Sequence, residues 1–275
     1  MLLSLLRSIR RRPAAAPERT AAVGRVQDMA RMATLAAGAP LEQHLGILFG
    51  DVKIAGLSLE TLMRETLAET RMKISPDKVI HRRVTSFFLG QYFLHSLSLD
   101  GRRAECGVFA GTSARFMCRA ARAQDPQFDG SGMHLVDSFE GIPAGGVEDR
   151  IDGLAESEMP SVTRAGALSS PVESVRRAMA DFPGVSIHKG WIPQVLAELP
   201  EDRWAFVHVD VDLYAPTRAV LEYFEPRLVA GGVIVCDDYG SALFPGARRA
   251  WDEYCKAREL SFVMLPTGQS VLVGR

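Results

Sequence analysis

Trp204-Ala-Phe-Val-His-Val-Asp210-Val-Asp212-Leu-Tyr214 and Gly231-Gly-Val-Ile-Val-Cys-Asp237-Asp238-Tyr239 contain two short apolar runs, each ending abruptly on carboxylates. An apolar run of this length between turn signals has the pattern of a parallel strand buried on both faces. Between them, Ala215-Pro-Thr-Arg-Ala-Val-Leu-Glu-Tyr-Phe224 repeats apolar residues at helical spacing, with Pro216 placed in the first turn. The resulting strand–helix–strand unit brings both strand ends to the same edge of a sheet. Asp210, Asp212, Asp237 and Asp238 are therefore expected at one rim. Carboxylates crowded in this way repel one another unless a cation lies among them. Mg2+ is the expected cation, because it takes hard oxygen ligands from a few carboxylates and keeps water or substrate oxygens for the rest. A lone aspartate here would read as a helix cap or a turn residue; four at one rim read as a site.

Upstream, Arg103-Ala-Glu105-Cys-Gly107-Val-Phe-Ala-Gly111-Thr-Ser113 is a strand that runs through glycines into a helix beginning near Ala114. Glycines at such a turn let a ligand approach the backbone, and the helix start offers unpaired amides. The Glu-x-Gly-x-x-x-Gly spacing is not the Gly-x-Gly-x-x-Gly of dinucleotide binders, and such a turn can also be purely structural. The next strand, Met133-His-Leu-Val-Asp137, ends on an acid followed by Ser138-Phe-Glu-Gly-Ile-Pro143. That carboxylate can accept from both hydroxyls of a ribose, or cap a turn. Residues 144–170 lack periodicity, as expected of a lid or a disordered segment. Further on, 171–182 reads as a helix, 185–188 as a strand and 190–199 as a turn and helix. Trp191 is a candidate to stack on an adenine, with a core role as the alternative. His208 reads as a core histidine. A helix over 245–259 and an antiparallel hairpin through Pro266-Thr-Gly268 close the chain. The fold class is thus α/β, a doubly wound and mostly parallel sheet with an antiparallel C-terminal edge. Ligands of such sheets lie at the carboxyl edge, where strand order reverses.

With 275 residues, 47% of them hydrophobic, the chain can bury a large core; a net charge of −1 gives no field that would draw it to nucleic acid or an anionic membrane. Cys106, Cys118, Cys236 and Cys255 show neither metal-ligand spacing nor a disulfide framework, which points to a reducing cytoplasm. The opening Met1-Leu-Leu-Ser-Leu-Leu-Arg7 patch is too short to span a bilayer, and its charges follow the apolar residues instead of preceding them as in a signal peptide. It reads as a frayed or packing terminus, with an interfacial helix as the alternative. Residues 13–25 read as a linker, 26–48 as weakly helical, 57–72 as an amphipathic helix, and about 78–97 as a further helix. These helices, which precede the first clear strand, are expected to form a cap or an oligomer contact at the edge of the sheet; residues 1–74 are assigned to an N-terminal helical extension or cap and 75–275 to the main domain.

Taken together, Glu105-x-Gly107-Val-x-x-Gly111, Asp137-Ser-Phe-Glu-Gly-Ile-Pro143, His208-Val-Asp210-Val-Asp212-Leu-Tyr-x-Pro-Thr217 and Asp237-Asp238-Tyr239-Gly240 closely resemble the macrocin O-methyltransferase family. Gly246-Ala-Arg248 and Asp252-Glu253 add to the match. The resemblance covers roughly residues 75–260. It implies a class I methyltransferase fold and methyl transfer, dependent on S-adenosylmethionine and Mg2+, to a hydroxyl of a sugar or glycosylated metabolite. It further implies that Glu105, Gly107 and Gly111 line the methionine side of the cofactor and that Asp137 holds the ribose. Asp210, Asp237 and Asp238 would hold the metal, and Asp212 would take the hydroxyl proton. The candidate cofactor-binding residues are Glu105, Gly107, Gly111, Ser113, Asp137, Ser138, Trp191 and Asp210. A small-molecule or glycan acceptor and a homo-oligomer are expected, with no nucleic-acid or membrane partner.

Two other classes fit such a sheet. A nicotinamide-dependent oxidoreductase is disfavoured by the glycine spacing and by the lack of a clear Tyr-x-x-x-Lys pair. A non-catalytic scaffold is disfavoured by the presence of all four rim acids.

Overall fold

The computed structural model describes residues 52–75 and 78–275. The expected opening patch, linker and weak helix before residue 52 lie outside the described residues. A two-residue hairpin, β1 (Lys53–Ile54) and β2 (Leu57–Ser58), leads into helix α1 (Leu59–Thr70), whose first turn is capped by the Ser58 side chain. Helix α2 (Val79–Ser96) follows, and then the sheet begins.

The sheet strands are β3 (Arg102–Cys106), β4 (Met133–Asp137), β5 (Ser186–Lys189), β6 (Trp204–Val209), β7 (Leu228–Cys236), β8 (Phe262–Met264) and β9 (Ser270–Val273). Their spatial order is β5-β4-β3-β6-β7-β9-β8. β3 to β7 are mutually parallel, and β9 pairs antiparallel with both β7 and β8. This is the doubly wound, mostly parallel sheet with an antiparallel C-terminal hairpin that the sequence predicts. The helices between strands are α3 (Thr112–Gln124), α4 (Val172–Ala178), α5 (Tyr214–Phe224) and α6 (Pro245–Ala257).

The whole of β6 is buried, as its unbroken apolar run requires. On one face, Trp204, Val207 and Val209 pack with Leu221, Phe224, Trp251 and Tyr254 of α5 and α6. On the other, Phe206, Val233 and Val235 pack with Leu89 and Phe93 of α2 and Met117 and Ala121 of α3. Each fully buried large side chain of this set stabilises the fold by roughly 1.5–3 kcal/mol through removal from water. Helix α2 therefore covers a face of the sheet, where the sequence reading expected an edge contact. The reason is the apolar stripe of Leu89 and Phe93, which finds its complement on β6 and β7. Helix α1 packs through Leu59, Leu62 and Met63 against Phe116 and Ala120 of α3.

Three expectations need trimming. The helix read over 171–182 is helical only over Val172–Ala178, and the helix read after Trp191 is a single 3-10 stretch, Gln194–Glu198. Residues 144–170 are a folded loop with short 3-10 turns at Val147–Asp149, Glu156–Glu158 and Ser161–Thr163. No helix among the described residues is long and apolar enough to cross a membrane.

Candidate active site

The chain leaves β3, builds outward through β4 and β5, and then returns to place β6 on the other side of β3. The crevice outside the carboxyl ends of β3 and β6 is this reversal point. Gly107 stands at its base with φ +87°, and a Cβ there would lie 1.7 Å from the Asp210 carbonyl oxygen. The glycine thus lets the turn after β3 and the acid rim meet. Asp137 closes the turn. Its Oδ2 accepts from the Val108 and Phe109 amides at 2.6 and 2.9 Å, and its Oδ1 from the Phe139 amide at 2.6 Å. A carboxylate offers about four lone-pair sites. Asp137 is therefore first a clamp for the backbone, with limited capacity left for a ribose.

The acid rim forms as the strand ends require, in two overlapping groups that share Asp210. Ligand atoms of Asp210, Asp212 and Asp238 lie within 4.8 Å of one another, and so do those of His208, Asp210 and Asp237. Asp212 is buried and sits at φ +64°, a left-handed conformation that a non-glycine residue adopts at a cost of roughly 1–3 kcal/mol. Asp237 is held from three elements. Gln269 Nε2 donates to its Oδ1 at 2.8 Å, Arg82 of α2 approaches its Oδ2 at 3.9 Å, and His208 Nε2 lies 3.7 Å from its Oδ1. Asp238 Oδ2 is buried without a partner.

The electrostatics follow from this arrangement. Burial, and then the Asp237 charge, raise Asp210 to about 7; burial and the Asp210 charge raise Asp212 to about 8. Asp238 is driven well up by burial and the Asp210 carboxylate. Asp237 goes down: His208 and Arg82 outweigh its burial and keep it ionised. His208, wholly buried between Glu105 and Asp237, is raised to about 10, because its bonds to those acids overcome desolvation. Asp210, Asp212 and Asp238 thus share too little positive charge, and a hard cation would relieve them.

A cavity of about 520 Å³ opens over the rim. Gly107, Phe109, Asp137, Ser138 and Trp191 line one part of it, and all four aspartates line its floor. Glu105 is not in its wall. It is 1% exposed and bonds through Oε1 to His208 Nδ1 at 2.9 Å, because β3 and β6 pair Glu105 with His208 in register. Gly111 and Ser113 also lie outside the wall, at the start of α3. The structure therefore brings together Gly107, Asp137, Ser138, Trp191 and the rim acids, and sets Glu105, Gly111 and Ser113 behind them.

Residues with no sequence signal complete the site. Asp149 is buried, and its carboxylate accepts from the Tyr214 amide at 2.7 Å and the Gly146 amide at 2.8 Å. It pins the 144–170 loop to the N-terminus of α5 beside the rim. Ile142, Val162 and Ala167 pack on Leu213 and Phe244 to hold the loop over the cavity. Arg82 and Gln269 reach Asp237 from chain positions far from it. Only the coincidence of an arginine on an apolar helix face could have singled out Arg82, and nothing marks Gln269.

A family model described as macrocin-O-methyltransferase (TylF) matches residues 94–266. The 8-demethyl-8-(2,3-dimethoxy-alpha-L-rhamnosyl)-tetracenomycin-C 4'-O-methyltransferase of Streptomyces olivaceus is 32% identical over 156 residues, 54% of this chain and 58% of the relative. The demethyldecarbamoylnovobiocin O-methyltransferase of Streptomyces niveus is 31% identical over 161 residues, 57% of this chain and 59% of the relative. The matched region thus spans about three-fifths of these relatives' length. The solved structure of the O-methyltransferase NovP superposes with a TM-score of 0.61 at 22% identity, covering 80% of this chain and 99% of that one, a likeness of fold.

Proposed function

This chain belongs to the macrocin O-methyltransferase family, and from that premise we propose that it methylates a hydroxyl of a sugar or glycosylated metabolite, with S-adenosylmethionine as donor and Mg2+ at the acid rim. The observation that carries the reading is the convergence of Asp210, Asp212 and Asp238 within 4.8 Å beside the Gly107 turn. The relatives named for methyl transfer to glycosylated tetracenomycin and to novobiocin precursors support the acceptor class.

The residues fit a hard divalent ion. The donors are carboxylate oxygens, one of them a buried Asp238 oxygen without a partner, and the set carries an excess of acid. Asp210 and Asp238 would hold the ion, with Asp237, which groups with Asp210 and His208 and not with Asp238, as the third ligand that the resemblance implies. Asp237 brings an orientation fixed by Gln269 and a charge balanced by Arg82. S-adenosylmethionine supplies an activated methyl on sulfonium, and Mg2+ would lower the pKa of a coordinated hydroxyl.

The chain's own residues do the rest. Trp191 and Asp137 border the part of the cavity where adenine and ribose would lie, and Gly107, also in its lining, lets the acid rim close against the turn there. Asp212 would take the acceptor proton, and S-adenosylmethionine, when bound, would supply the methyl group. The Asp212 carboxylate lies within 4.8 Å of those of Asp210 and Asp238, within reach of a hydroxyl held at the rim. The pinned 144–170 loop keeps water from the reacting centre, and holding both reactants in line supplies much of the acceleration. We place the chain in the cytoplasm as a homo-oligomer. Four buried free cysteines support the compartment, and exposed Val263 and Met264 on edge strand β8 support self-association.

The test is label transfer from methyl-labelled S-adenosylmethionine to a glycoside panel, with Mg2+ or with EDTA. Transfer is expected to at least one glycoside, and its loss with EDTA and in Asp212→Asn. Failure of the wild-type chain to bind S-adenosylmethionine in isothermal titration overturns the reading.

A further inference from the structure

The cavity is bipolar. Its floor carries the four aspartates, whereas Lys73 and Lys78, from the segment that leads into α2, and Arg82, from the first turn of α2, also line it. The chain has only five lysines, and two of them lie here. Both are exposed, and neither side chain has an ion-pair or hydrogen-bond partner among the described residues. Arg82 offers five N–H donors, and among the described residues its side chain makes an ion-pair approach of 3.9 Å to Asp237, too long for a hydrogen bond. Two lysines with unused donors, and Arg82 beside the acids it helps to balance, thus line a cavity whose floor is acidic.

The methyl donor does not explain these cations. S-adenosylmethionine carries a sulfonium and an ammonium against one carboxylate, so a row of cations opposes its net charge. Arginine and lysine with free donors match phosphate oxygens instead. The cavity is also lined by Val162, Leu168, Leu243 and Phe244, which offer no such contact. We infer that the acceptor sugar carries a phosphate or diphosphate, which Lys73 and Lys78 engage, with Arg82 beside them, while the sugar hydroxyl reaches the acid rim. The inference rests on the methyl-transfer reading and narrows its acceptor to anionic sugars such as sugar phosphates or nucleoside diphosphate sugars.

The test is isothermal titration of the 275-residue chain loaded with S-adenosylhomocysteine, without Mg2+, so that no cation at the rim can hold the phosphate. The probes are uridine diphosphate and glucose 1-phosphate. Wild type is expected to bind at least one. Uridine diphosphate alone would indicate a nucleotide sugar, and both would indicate any phosphate-bearing sugar. The double variant Lys73→Glu/Lys78→Glu is expected to weaken that binding about tenfold and to leave the Kd for S-adenosylmethionine within about twofold. The inference is overturned if neither probe binds wild type, or if the variant binds them equally well. It is also overturned if the variant loses S-adenosylmethionine affinity instead, since the lysines would then serve the donor's carboxylate. Failure to bind S-adenosylhomocysteine would refute the methyl-transfer reading separately, and titration of the unloaded chain would still report on the lysines.

Discussion

Gly107 is the residue on which the site turns. A side chain there would meet the Asp210 carbonyl at 1.7 Å, at a backbone angle that favours glycine. Gly107→Ala is expected to destabilise by more than about 3 kcal/mol, or to force β3 and β6 apart, as read by denaturant unfolding; a loss below about 1 kcal/mol would contradict the close approach. The rim acids make a prediction with a definite sign. Asp210 at about 7 and Asp212 at about 8 lie above the ordinary value of 3.8, so each stabilises the metal-free fold most at low pH and loses that contribution as pH rises. Metal-free stability is therefore expected to fall between about pH 4 and 8 through these groups. Added Mg2+ should raise the Tm more at pH 8 than at pH 5, as scanning fluorimetry would show. An equal shift at both would count against a carboxylate site. At this scale the sequence was informative about the acids, because each ends an apolar strand. It was silent about Arg82 and Gln269, whose partner Asp237 is reached only through tertiary packing.

Among the elements, the 144–170 loop is the least regular and the most dependent on a single group. Asp149→Ala removes the acceptor for the Tyr214 and Gly146 amides and leaves a cavity under the loop. A cost of roughly 1–3 kcal/mol is expected, together with faster proteolysis within the loop and a raised KM for the acceptor. Unchanged proteolysis would show that Asp149 is not the pin. Strands β4 and β5 carry a second pH-sensitive pair. His134 and His188 lie 3.0 Å apart through ring nitrogens, and burial together with His188 pulls His134 down to about 4 from 6.5. A buried histidine kept neutral costs stability as pH falls below 6.5, so acid is expected to weaken this edge by an amount on the order of 1 kcal/mol after solvent screening. His134→Gln should flatten that acid limb in a pH series of unfolding curves; a limb as steep as wild type would assign the effect elsewhere. The strands themselves were legible, since β6 and β7 are buried on both faces and read as unbroken apolar runs. The loop was not, because its order comes from Asp149 and a few apolar contacts with no period. The placement of α2 was missed because an amphipathic stripe shows that a helix is covered, not which surface covers it.

Across the molecule, one topological fact organises the chemistry: the chain reverses direction across the sheet between β3 and β6. That reversal puts a glycine turn and an aspartate-tipped strand side by side, and β7 adds two more acids from the neighbouring position. Strand alternation and the terminal hairpin made this architecture readable from sequence. The pairing of an acidic floor with two lysines in one cavity was not readable, because Lys73 and Lys78 precede the sheet and meet the rim only in space. The most direct test of the whole account is a calorimetric Mg2+ titration of the S-adenosylmethionine-loaded chain, wild type beside Asp210→Asn and Asp238→Asn. One ion per chain is expected in the wild type, with binding abolished in both variants and donor affinity retained; a wild type that takes up no Mg2+, or variants that bind it as well, would contradict the account.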